Sequence, residues 1–122
     1  MTFVKSTSTV TDTAITVPSL TGGTDGKVVR ISGSNSCTDA SSGDSAVQLN
    51  AILLKQNGIY YASGVVPGFT SLSAGSPYFL AANGSITSSP PTPTSTVRTV
   101  FLGFAINSTD FLFKPGTPIS GT

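Results

Sequence analysis

Five aspartates, no glutamate and no histidine make up the whole acid–base stock of this 122-residue chain. Without histidine, the commonest general base near neutral pH and the commonest metal ligand are both missing. Asp12, Asp25, Asp39, Asp44 and Asp110 all stand in turn-like contexts, where a carboxylate favours hydrogen bonds to nearby backbone. Asp39 and Asp44 are the pair on which glycoside hydrolysis would draw, but both lie in a very polar stretch and read first as solvated loop residues. Asp25, within Gly22-Gly23-Thr24-Asp25-Gly26, resembles a calcium turn with too few companion carboxylates. Cys37 is the only cysteine, so no intramolecular disulfide exists, and no histidine is present to activate its thiol. It reads as a small thiol, partly buried or in a loop. No phosphate-cradling loop leads into a helix. The expectation is a chain with no catalytic residue, no metal ligand set and no cofactor, hence not an enzyme.

Tyr60, Tyr61 and Tyr78 offer either sugar-stacking surfaces or packing within hairpins, and packing is the simpler use. Asn83-Gly84-Ser85 and Asn107-Ser108-Thr109 match glycosylation sequons but also carry strong turn signals, and they are read as turns.

The elements that must position these residues are strands. Nearly one residue in three is Ser or Thr, and the apolar share of 38% is largely β-branched or aromatic. Charged residues are only 9% of the chain and the net charge is +1. No basic stripe for phosphate binding is present, so no nucleic-acid partner is expected. No stretch approaches the roughly 20 apolar residues of a membrane span, so no membrane partner is expected either. Met1 to Ser6 lacks the apolar run of a signal peptide. So little net charge removes the repulsion that keeps copies apart, and self-association is expected.

Met1 to Val17 reads as two short extended segments around Thr11-Asp12-Thr13, and Lys27 to Ser32 as a strand. Gly33 to Gly43 is expected to be an exposed loop around Cys37. A strand is expected from Ala46 to Gln56, with a helix over Ser45 to Lys55 as the competing reading. Asn57-Gly58 and Asn83-Gly84, each between apolar segments, predict two-residue type I′ hairpins, which need positive φ at both central positions. Gly64 to Phe69 reads as a short edge or connecting piece broken by Pro67, and Ser88 to Thr94 as a stiff proline loop. Val97 to Ile106, apolar on both faces, predicts a long central strand. Asn107 to Asp110 then turns the chain into Phe111-Leu112-Phe113. The fold expected is one all-β domain over residues 1–122, a small β-sandwich or β-barrel of roughly eight to ten short, mostly antiparallel strands.

From Leu72 to Pro115 the chain resembles a module of tailed-bacteriophage virion proteins, found among capsid decoration (cement) proteins, head fibres and tail fibres. Three pieces carry the likeness: Ser73-Ala74-Gly75-Ser76-Pro77-Tyr78-Phe79-Leu80, then Asn83 to Pro91, then Val97 to Phe113, with Leu102-Gly103-Phe104-Ala105 and Ser108 to Phe113. The resemblance implies a β scaffold that assembles as a homotrimer on the particle. The resemblance does not separate head from tail, but no shaft, coiled coil or repeat of a long fibre is visible. A stand-alone decoration protein is therefore expected, with the major capsid protein as partner, on the capsid surface of a virion made in the host bacterial cytoplasm. A small tail-fibre or baseplate module that binds a receptor glycan, through Tyr60, Tyr61 and the loops near Cys37, is the alternative. Residues 1–10 are expected to form an extended N-terminal arm, with Phe3 and Val4 as capsid or subunit contacts. Phe3 and Val4 beginning an edge strand of the same domain is the other reading.

Overall fold

Alternating apolar residues build a sheet that curls around a single main core. A computed structural model describes residues 14–121. The expected arm over 1–10, the contacts Phe3 and Val4, and the turn over 11–13 lie outside the described residues.

Among the described residues there are twelve short strands: β1 (Ile15–Thr16), β2 (Thr21–Gly22), β3 (Lys27–Gly33), β4 (Ser36–Asp39), β5 (Ile52–Gln56), β6 (Ile59–Val66), β7 (Pro77–Leu80), β8 (Ile86–Thr87), β9 (Arg98–Thr99), β10 (Phe101–Ala105), β11 (Phe111–Phe113) and β12 (Ile119–Ser120). One helical turn, α1 (Ala46–Leu49), precedes β5. The main sheet runs β2-β4-β3-β5-β6-β11-β10-β7-β8, with β1 beside β6, and β12 pairs separately with β9. Every pairing is antiparallel except β2 with β4. The chain is all-β, as composition predicts.

β6 joins the two halves of the sheet. Its first half pairs with β5 through Leu54–Tyr61, Lys55–Tyr60 and Gln56–Ile59, and its second half pairs with β11 through Val65–Leu112. The far end of the sheet then returns to the start: Lys27 bridges Ser85, and the Val28 amide donates to the Gly84 carbonyl at 2.8 Å. The circuit of strands is thereby closed, which leaves fewer open edges for uncontrolled pairing.

Inside the circuit sit Val28, Leu54, Tyr61, Val66, Leu80, Val100, Leu102, Phe111 and Phe113, each buried. Phe111 is the centrepiece, with Tyr78 edge-on at 5.8 Å and Phe69 at 6.1 Å between ring centroids. Each such side chain contributes roughly 1.5–3 kcal/mol by leaving water. A second, smaller cluster lies on the outer face of β3 and β5, where Val29, Cys37, Leu53 and Tyr60 are covered by Val17 and Leu20.

Several local expectations need correction. Gly33 to Gly43 is not one exposed loop: Asn35 takes φ 55° in a tight turn, and Ser36–Asp39 returns as β4 with Cys37 buried. β4 lies between β2 and β3, and its polar residues suit a strand with one wet face. The segment from Ala46 is a helical turn before it is a strand, because Ser45 and Gln48 form a reciprocal capping box. Asn57-Gly58 has φ 52° and 78°, as a type I′ turn requires. At Asn83-Gly84 only the glycine has positive φ, and the Gly84 amide donates to the Ala81 carbonyl. That loop is a type I turn followed by a left-handed glycine. Gly64 to Val66 is the continuation of a central strand, not an edge or connecting piece. The expected long strand from Val97 is divided into β9 and β10, and a bulge interrupts β10 between Phe101 and Gly103.

Candidate interaction surface

Asp12 lies outside the described residues, and the other four aspartates each hold a hydrogen bond within the fold. The Asp39 carboxylate accepts the Thr24 amide and hydroxyl, both at 2.8 Å. Asp44 accepts the Ser41 amide at 2.8 Å and pairs with Arg30 Nε at 3.1 Å. Asp25 accepts the Gly58 amide at 2.9 Å, tying the Asn57 turn to the loop before β3. Asn107 Oδ1 accepts the Thr109 and Asp110 amides at 2.9 and 2.8 Å, so that sequon serves as a turn. Among the described residues, no three His, Cys, Asp or Glu side chains gather as a metal site, and no helix is long and apolar enough to cross a membrane.

The tyrosines pack. Tyr60 and Tyr61 are only 5% and 7% exposed. Tyr60 donates to the Gly22 carbonyl at 2.6 Å, and the Lys55 ammonium lies 5.2 Å from its ring centre. Tyr78 accepts the Ser73 amide at 2.9 Å. Burial pushes the Cys37 thiol above its ordinary pKa, and the positive charge of Lys55 opposes part of that rise. A shallow groove of about 480 Å³ runs between Val17, Pro18 and Leu20 on one side and Ile59 and Tyr60 on the other. Among the described residues, no charged side chain lines it.

The feature that strand spacing did not announce is an apolar row on the outside of the sheet. Phe111 and Phe113 point into the core, so Leu112 between them points out. Its direct neighbours across the sheet are Val65 on β6 and Phe104 on β10, and Phe104 faces Pro77 on β7. Val65, Leu112, Phe104 and Pro77 thus form one row across four strands. A second row adds Phe101 opposite Phe79, with their rings 5.9 Å apart and edge-on. Phe101 and Phe104 are 36% and 37% exposed.

The bulge at Gly103 creates this arrangement. In a regular strand Phe101 and Phe104 would face opposite sides, and one would enter the core. The bulge adds one residue between them, so both point outward while Leu102 and Ala105 stay buried. Gly103 has φ 138°, and a Cβ there would run into the Leu112 carbonyl oxygen. Only glycine suits that position.

Comparison with family models, curated proteins and solved structures finds no match. Fold and surface together define an all-β domain that exposes an apolar, partly aromatic row on one sheet face.

Proposed function

We propose that this chain is a virion structural protein of a tailed bacteriophage, a capsid decoration (cement) module that binds over the major capsid shell and stabilises it. The reading is non-catalytic: the work is done by burying surface in an assembly. The observation that carries it is the outward row Val65, Leu112, Phe104 and Pro77, continued by Phe101 and Phe79. A contiguous apolar face on a small domain is the usual mark of an interface. Five of these six residues fall within Leu72 to Pro115, the stretch that resembles phage virion modules. The low net charge supports the same reading, because copies can crowd on a particle without mutual repulsion.

Binding only to the assembled shell stabilises it by mass action. Particles made without this protein should burst at lower temperature or milder osmotic shock, and adding purified protein should restore them. Equal robustness with and without the protein excludes the cement role. The glycan-binding alternative relied on Tyr60 and Tyr61, whose burial leaves that reading without an exposed aromatic platform where it needs one.

A further inference from the structure

The outward row has no charge within it, and one charged residue flanks its strand β11 on each side. Because Phe111 and Phe113 are buried, alternation places Asp110, Leu112 and Lys114 together on the outer side. Along the strand that side reads anionic, apolar, cationic. Lys114 is exposed and makes no ion pair among the described residues, and the Asp110 carboxylate accepts only the Asn107 side-chain amide, at 3.1 Å. At about 3.4 Å per residue, their α-carbons lie roughly 14 Å apart with Leu112 midway.

A pattern that changes sign about its midpoint is complementary to itself under a two-fold rotation. Rotation brings Asp110 of one copy to Lys114 of the other, twice over, whereas parallel stacking sets like charge on like. Between these charges runs the apolar row Val65, Leu112, Phe104 and Pro77, suited to a sheet-on-sheet contact with a spacing of about 10 Å. We infer that the outer face of β6, β11, β10 and β7 is covered by a second copy of this chain, related by a two-fold axis near Leu112. This rests on the reading of the face as an assembly surface, and it assigns a two-fold contact where the sequence resemblance implies a trimer.

The test is sedimentation of the full-length protein at low salt over a micromolar to millimolar range. Wild type should form a dimer. Asp110→Lys and Lys114→Asp should each weaken it by about tenfold or more, since both symmetry-related pairs become repulsive. The double variant Asp110→Lys/Lys114→Asp, which swaps the charges, should recover most of the loss. A monomer throughout the range, a trimer, or a swap no tighter than the single reversals overturns the inference. Circular dichroism melts establish that each variant folds. If Asp110→Lys loosens the Asn107 turn and fails to fold, Lys114→Asp carries the test alone: weakening that shrinks at high salt supports the pairing, and unchanged affinity overturns it. The two readings fail separately. A monomer that still loads onto particles removes the dimer and keeps the decoration role, whereas a dimer that never loads does the reverse.

Discussion

Phe104 stands directly opposite Leu112 in the antiparallel β10–β11 pair, and both side chains point away from the core. Each is partly covered and contributes less to the stability of an isolated domain than a fully buried side chain. Phe104→Ser should lower the unfolding free energy of the monomer by only about 1–2 kcal/mol, below the loss expected at a fully buried phenylalanine. Its main effect belongs in assembly. Urea denaturation at low concentration, compared with loading onto particles, separates the two; a large loss of monomer stability would place Phe104 in the core instead.

Phe111 has the opposite role although it neighbours Leu112 in sequence. It is fully buried and meets both Tyr78 and Phe69 edge-on. Phe111→Ala should cost about 3–5 kcal/mol through lost burial and the cavity left behind. That is a large part of the roughly 5–15 kcal/mol that holds a domain together. Denaturant titration should show a greatly lowered midpoint or an unfolded chain.

The two Asn-Gly turns should respond differently to the same change. Asn57 is held at φ 52°, which alanine tolerates poorly, so Asn57→Ala should lose about 1 kcal/mol. Asn83 has no positive φ and contributes an exposed side-chain bond to the Ser85 amide at 3.0 Å, so Asn83→Ala should lose only about 0.5 kcal/mol. Equal losses in matched urea titrations would contradict the assigned turn types.

Cys37 makes stability depend on alkaline pH. Burial raises its folded pKa, so the folded thiol keeps its proton where the unfolded thiol, with a pKa of roughly 8.5, has lost it. The thiol's contribution is full below the unfolded pKa and is lost as pH rises through the folded value. Wild type should therefore lose stability more steeply than Cys37→Ala between neutral pH and about pH 10, a range that spans the unfolded thiol's pKa. The same burial should make the native thiol slow to react with alkylating reagents. Parallel slopes, or rapid native labelling, would show a solvent-accessible thiol.

Much of the scaffold was legible in the sequence because local signals and burial agree there. Lys27 to Ser32, Asn57-Gly58 and Phe111 to Phe113 each combine strand-forming residues with a clear turn or alternation. Ser36 to Asp39 was not legible as a strand: only Cys37 among its residues is apolar, so nothing in the segment alternates, although it folds straight back on the preceding β3. The helical turn had a readable signal in Ser45-x-x-Gln48, hidden by the strand-like alternation of Val47, Leu49 and Ala51. Val47 is in fact 81% exposed. The outward aromatic row was the hardest feature to read. Phe101, Leu102, Phe104 and Ala105 look like a strand buried on both faces, and the bulge that turns two phenylalanines outward depends on Gly103 meeting the Leu112 carbonyl across the sheet.

The central claim is that Phe79, Phe101, Phe104 and Leu112 form an assembly surface, and hydroxyl-radical footprinting read out by mass spectrometry tests it most directly. Labelling should be compared between dilute isolated protein and intact particles. The prediction is strong oxidation of Phe101 and Phe104 in the dilute protein and clear protection on the particle, with buried Phe111 unreactive in both. Equal oxidation of Phe101 and Phe104 in the two states would mean that this face stays open to solvent after assembly, and the account would be contradicted.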